Sequence, residues 1–158
     1  MIELSRTCCL SGHRTIPVNR YDTVMQCLHE TVTDLVEQGY DTFLTGGALG
    51  FDTLGAQVLL SLKEQYPQLR LILVQPCATQ TAGWSRANVE AYESIRARCD
   101  DCVCLSDFYY NGCMQVRNRY LVDHSSACIC YLNNLRSGTA YTVKYAESQG
   151  LQIINLAE

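Results

Sequence analysis

The stretch TFLTGGALGFDTLGAQVLLSLK, from Thr42 to Lys63, contains a four-residue apolar run, a loop with three glycines in five positions, and a long apolar-rich segment. A strand of β-branched and aromatic residues, a glycine loop and a helix in that order form the opening half of a βαβ unit. Thr42 to Thr45 therefore reads as a strand and Phe51 to Lys63 as a helix. Between them, Gly46, Gly47 and Gly50 let backbone amides converge on an anion, while Asp52 sits where it can cap the helix or hold a ribose hydroxyl. Thr45 and Ala48 complete that loop. A tight turn with Asp52 as its cap is the bland reading of the same residues. The loop matches neither the dinucleotide GxGxxG fingerprint nor the Walker lysine motif.

On the N-terminal side, Val24, Leu28, Val32, Leu35 and Val36 recur on one helical face between Asn19 and Gln38, and Gly39 supplies the stop. Thr7 to Leu10 is the strand before it. On the C-terminal side, the pattern predicts a strand at Leu69 to Gln75, a helix at Ala87 to Arg98 and a strand at Cys102 to Leu105. A helix over Arg117 to Val122 follows, then a strand at Ala127 to Tyr131, a helix at Thr139 to Glu147 and a last strand at Leu151 to Leu156. Alternating strands and helices imply an α/β, Rossmann-like three-layer sandwich: a mostly parallel sheet of about six strands with helices on both faces. With 158 residues and no linker or repeat, a single domain over 1–158 is expected.

In such a sheet, ligands gather where strand C-termini meet helix N-termini, because unpaired amides there favour anions. Three further junctions fit that rule. Ser11, Gly12, His13 and Arg14 follow the first strand, with a hydroxyl, a permissive glycine and a guanidinium suited to phosphate. Arg117, Asn118 and Arg119 lie on a helix; two arginines two residues apart point about 200° apart, so one faces the crevice and the other pairs with a carboxylate. Ser137, Gly138 and Thr139 open the last long helix, either as a phosphate site or simply as a capped start.

Composition narrows the classes of function. Hydrophobic residues make up 47% and charged residues 18%, which excludes a disordered or fibrous chain. No apolar run approaches the roughly 20 residues of a membrane span, and the N-terminus lacks signal-peptide organisation, so a cytoplasmic protein without a membrane partner is expected. The net charge of −4 lacks the positive field of a general nucleic-acid binder, leaving a small nucleotide as the preferred partner and nucleic acid disfavoured. Exposed aromatics such as Trp84, Tyr109 and Tyr110 keep base stacking open as an alternative, and apolar surface suggests a homodimer. The ten cysteines read as reduced thiols, most of them core. In CDDCVC, Cys99, Cys102 and Cys104 have a spacing of interest to zinc but lack a second ligand pair. A cysteine nucleophile would centre on Cys77 or Cys113 with His13 or His124 as base.

The strings GGALGFDTLGAQ, RNRYLVDHSS and SGTAYTVKYA, with SGHR near the start and VQPC at Val74 to Cys77, resemble the YpsA-like family of the SLOG superfamily over nearly the whole chain. The same segments resemble, more distantly, the Rossmann domain of DprA and the lysine-decarboxylase-like phosphoribohydrolases. The resemblance implies a Rossmann-like fold and a nucleotide-derived ligand related to ADP-ribose; an ADP-ribose-, NAD- or AMP-like ligand is expected, and no cofactor is assigned. It implies one wall from Gly46, Gly47, Gly50 and Asp52, a phosphate at Gly138 and Thr139, and Arg117 and Asn118 between them, with Pro76 in the VQPC segment nearby. The phosphoribohydrolases carry a glutamate three residues after the threonine, where this chain has Thr142. Threonine cannot supply the carboxylate that N-glycosidic hydrolysis needs. Binding or sensing is therefore expected, with nucleotide hydrolysis and DprA-like binding of single-stranded DNA as alternatives.

Overall fold

A computed structural model describes residues 2–157. Its strands are β1 (Thr7–Gly12), β2 (Thr42–Thr45), β3 (Arg70–Gln75), β4 (Asp101–Cys104), β5 (Ala127–Tyr131) and β6 (Gln152–Asn155). Its helices are α1 (Tyr21–Glu37), α2 (Phe51–Leu62), α3 (Arg86–Arg98), α4 (Cys113–Asp123) and α5 (Gly138–Ser148). The strands form one sheet in the order β4-β3-β2-β1-β5-β6, parallel at every pairing.

Strand periodicity of two divides the core into two layers. Cys8, Leu10, Phe43, Leu71, Ala127, Ile129 and Tyr131 pack with α1, α2 and Ile95 of α3. Their neighbours Cys9, Leu44, Ile72, Cys128 and Cys130 pack against Leu121 and Val122 of α4 and Val143 and Ala146 of α5. The result is the expected α/β three-layer, Rossmann-like sandwich.

Strand order makes β1 the switch point: successive strands run outward from it to β4, after which the chain crosses back to lay β5 on β1's other side. A crevice outside the carboxyl ends of β1 and β5 follows from that reversal. β1 runs two residues beyond its expected end because Ser11 and Gly12 pair with Cys130 and Tyr131. α4 begins four residues before its expected start, since left-handed Gly112 (φ 97°) takes the N-cap position, where it offers no capping side chain.

Candidate functional site

Two loops are pressed together to make the floor of the crevice. A Cβ at Gly12 would lie 2.4 Å from the Phe51 ring, and one at Gly50, whose φ is +77°, would lie 2.3 Å from the Arg14 carbonyl oxygen. Glycine is required at both by this close approach. The Phe51 amide donates to the His13 carbonyl at 3.1 Å, which fixes the start of α2 against the end of β1. The Asn133 amide in turn donates to His13 Nε2 at 3.0 Å, tying in the β5–α5 loop. A ring that accepts at Nε2 is neutral and carries its proton on Nδ1. Burial lowers the His13 pKa in the same sense.

Above this floor lies a cavity of about 370 Å³ at the β1/β5 switch point. Ser11, Gly12, His13 and Arg14 line it from β1, Ala48 and Asp52 from the β2–α2 segment, Arg117 and Asn118 from α4, and Gly138 and Thr139 from the start of α5. Four separate stretches of sequence are thus brought to one place. Met114, Gln115 and Leu121 also line it. Met114, Arg117, Asn118 and Leu121 fall at helical spacings of three, four and seven, so one face of α4 forms the wall. Starting that helix at Arg117 hides its first turn, and with it Met114 and Gln115.

Two buried charges, Asp52 and Arg117, line this space and act on each other electrostatically. Asp52 Oδ2 accepts the Ala48 amide at 3.1 Å, while Oδ1 is buried and has no hydrogen-bond partner. Burial pushes the carboxyl up to about 6, against the pull of the Arg117 guanidinium, the Ala48 amide and Arg14. Arg117 is only 4% exposed. It donates through NH1 to the Gly46 carbonyl, through Nε to Asn118 Oδ1 at 2.8 Å and through NH2 to Met114 Sδ at 3.8 Å. Burial lowers its pKa, and Asp52 opposes that shift. Among the described residues no ion pair within 4.0 Å joins Asp52 to Arg117.

At the opposite wall, Ser137 Oγ accepts the Ala140 amide at 3.1 Å and caps α5. No described residue accepts from the amides of Gly138 and Thr139, and a Cβ at Gly138 would meet nothing within 4 Å. The helix therefore presents two free donors and its positive end to the cavity.

Five of the expected site residues do not line this cavity. Thr45 is fully buried, its hydroxyl accepting the Gly47 amide at 3.3 Å. Gly46 supports the site from behind, since a Cβ there would lie 2.6 Å from Arg117 NH1. Gly47 turns away, with its missing Cβ aimed at Leu73 and Tyr92. Gly50 borders a separate depression shared with Arg14, Thr15 and Asn88. Pro76 follows the end of β3, two strands from β1 in the sheet, and does not line the switch-point cavity.

The other candidates separate as well. Arg119 donates to the Tyr141 hydroxyl at 2.8 Å rather than to a carboxylate. Cys77 and Cys113 are buried outside the cavity lining, and His124 stacks on Tyr120, so neither pairs with His13 as nucleophile and base. Among the described residues no cluster of three or more His, Cys, Asp or Glu is arranged for a metal. Nor is any helix long and apolar enough to cross a membrane. Thr142 donates back to the Gly138 carbonyl at 3.1 Å, and Asp123 accepts from Tyr145, which leaves Asp52 as the carboxylate on the cavity wall.

Known proteins are similar to this chain in sequence or in fold. UPF0398 proteins from Bacillus cereus and Bacillus pumilus are 26% identical over 130 residues and 29% identical over 124 residues. Those matches cover 80% and 77% of this chain and 71% and 67% of the relatives. Among solved structures, DNA processing protein A of Helicobacter pylori, studied for its single-stranded DNA binding mode, superposes with a TM-score of 0.68 at 20% identity. DNA processing protein A of Streptococcus pneumoniae does so with a TM-score of 0.68 at 17% identity. These superpositions span 98% and 96% of this chain but 65% and 50% of the solved chains. At such identities they establish the fold. The YpsA model, of the YspA SLOG family, matches residues 12–154, and this chain belongs to that family.

Proposed function

We propose that this protein binds, as a receptor or sensor, a nucleotide-derived ligand carrying phosphate and ribose, of the ADP-ribose, NAD or AMP type, in the cavity between β1 and β5. The observation that carries this reading is one cavity lined both by Asp52, whose buried Oδ1 has no partner, and by a helix N-terminus with two free amides. A buried acceptor without a partner costs about 1–3 kcal/mol, which a ribose hydroxyl donating to it recovers. Phosphate oxygens suit the Gly138 and Thr139 amides, the Thr139 hydroxyl and the positive end of α5. Arg117 donates to a thioether at NH2, a weak acceptor that a phosphate oxygen replaces to advantage. Arg14, exposed at the rim, suits a second phosphate. A volume of about 370 Å³ falls in the range of about 300–1,000 Å³ usual for small-molecule sites. One wall carboxylate, with Thr142 bonded into its own helix, favours binding over glycosidic hydrolysis.

A second reading rests on Phe108, Tyr109 and Tyr110, which are 76%, 65% and 45% exposed in the loop before α4. Consecutive exposed rings at the ligand edge of the sheet suit stacking of single-stranded bases, against which the net charge of −4 counts.

A thermal-shift screen with ADP-ribose, NAD and AMP separates these readings. A ligand at 100 times its Kd stabilises by about 2.7 kcal/mol. Stabilisation by at least one nucleotide is expected, with chromatography showing it recovered intact. No shift in folded protein, together with tight single-strand binding that weakens steeply with salt, would transfer the assignment to nucleic acid.

A further inference from the structure

Behind the cavity runs a buried polar chain that the binding site alone does not require. Cys102 Sγ donates to Gln75 Oε1 at 3.1 Å, and Gln75 Nε2 donates to the Tyr92 hydroxyl at 2.6 Å. That hydroxyl donates to Gln80 Oε1 at 2.9 Å, and Gln80 Nε2 donates to the Gly46 carbonyl at 2.8 Å, the same oxygen that holds Arg117 NH1. Gln75, Tyr92 and Gln80 are 6%, 5% and 7% exposed. The four links from Cys102 to the Gly46 carbonyl all donate towards the cavity, so each polarises the next, and Arg117 donates to the same oxygen from the cavity side. Tyr92 also packs edge-on against Trp84 at 5.6 Å, which holds its ring in place.

The outer end of this chain is accessible. Cys102 and Cys104 are exposed on edge strand β4, with half-buried Cys99 close enough to act on Cys102 electrostatically. Burial pushes the Cys102 thiol up, while the neighbouring Arg96 guanidinium pulls it down by hydrogen bonding. Burial prevails, so Cys102 forms the thiolate that attacks disulfides as pH rises, with the Arg96 cation beside it only partly offsetting that shift.

We propose that Cys102 is a thiol-modification site whose capping by a small disulfide weakens phosphate-ligand binding in the cavity through Gln75, Tyr92, Gln80, Gly46 and Arg117. The inference rests on the nucleotide-binding reading. In the reaction, the Cys102 thiolate attacks one sulfur of the disulfide, a new S–S bond forms and the old one breaks. The second sulfur leaves as a thiolate and takes up the proton that Cys102 gave up. The protein sulfur is oxidised and the small disulfide reduced. The capped sulfur has no proton to donate, so the buried Gln75 oxygen loses its partner and the amide turns. That displacement passes along the chain to the carbonyl that orients Arg117. β4 lies three strands from β1, so the cap itself does not reach the cavity.

The test uses protein with Cys27, Cys99 and Cys104 replaced by serine, which leaves Cys102 as the one thiol not buried. It is capped with 5,5′-dithiobis(2-nitrobenzoate) and titrated with ADP-ribose. Capping is expected to weaken Kd at least fivefold, reversibly with dithiothreitol, and to change nothing in Tyr92→Phe, which keeps the ring but cuts the chain. Equal Kd for capped and uncapped protein would overturn the inference and leave the nucleotide reading intact. Should ADP-ribose not bind, that reading falls, and the capping rate of Cys102 decides the relay instead. A rate altered at least threefold by Arg117→Lys, or by Gln80→Leu if the first variant does not fold, sustains the relay; an unaltered rate overturns it.

Discussion

At the scale of single residues, Asp52 carries the conflict between stability and function. Its carboxyl is pushed up to about 6 by burial, from an unfolded value near 3.8, so the folded state holds the proton more tightly than the unfolded chain does. The resulting stability is fully present below about pH 4 and is lost as pH rises through about 6, a change of about 3 kcal/mol at 1.36 kcal/mol per unit. The charged groups facing it, Arg117 and Arg14, already reduce that penalty. Asp52→Asn resembles the protonated acid, so urea denaturation should find the variant up to about 3 kcal/mol more stable than wild type at pH 8 and nearly equal at pH 4. A variant that is less stable at both values would mean that Oδ1, like Oδ2, is held by a partner rather than left unpaired. A site kept at the expense of stability is the usual mark of function.

Among the elements, α2 sets the depth of the cavity because it rides directly on β1. A Cβ at Gly55 would lie 2.3 Å from Leu10 Cδ2, and Leu10 is fully buried with little room to yield. Gly55→Val should therefore destabilise by about 1–3 kcal/mol through overpacking, measured by the same denaturation; a neutral effect would show that α2 sits farther from β1. How legible each element was follows from where its signal lies. β1, β2, β3 and β5 announce themselves as short apolar runs, and α1 by five apolar positions on one face. The true start of α4 is silent because a left-handed Gly112 carries no capping side chain to read. Its lost first turn hid Met114 and Gln115, while Arg117 and Asn118 stayed visible through their charge and amide. Gly46, Gly47 and Gly50 look alike in sequence, and only the packing distinguishes their roles: one behind Arg117, one against Tyr92 and one on Arg14.

For the molecule as a whole, strand order converts four scattered motifs into one site. Alternating strands and helices make a parallel Rossmann-like sheet readable, but strand order depends on which crossover reverses, and no local pattern records that choice. With β5 beside β1, the residues from Ser11 to Arg14 meet Gly138 and Thr139, while Pro76 is left two strands away. The relay from Cys102 was unreadable for the same reason, since Gln75, Gln80 and Tyr92 come from a strand, a loop and a helix that share no periodicity. The central claim is that the switch-point cavity holds a nucleotide with its phosphate on the start of α5. Gly138 faces the cavity, and a Cβ there meets no atom, so Gly138→Val fills the phosphate position without disturbing the fold. The most direct test is calorimetric titration of wild type and Gly138→Val with ADP-ribose and AMP. The account predicts saturable binding to wild type, weakened at least tenfold in a variant whose Tm is unchanged. Equal affinity in the two proteins would contradict it by placing the phosphate elsewhere.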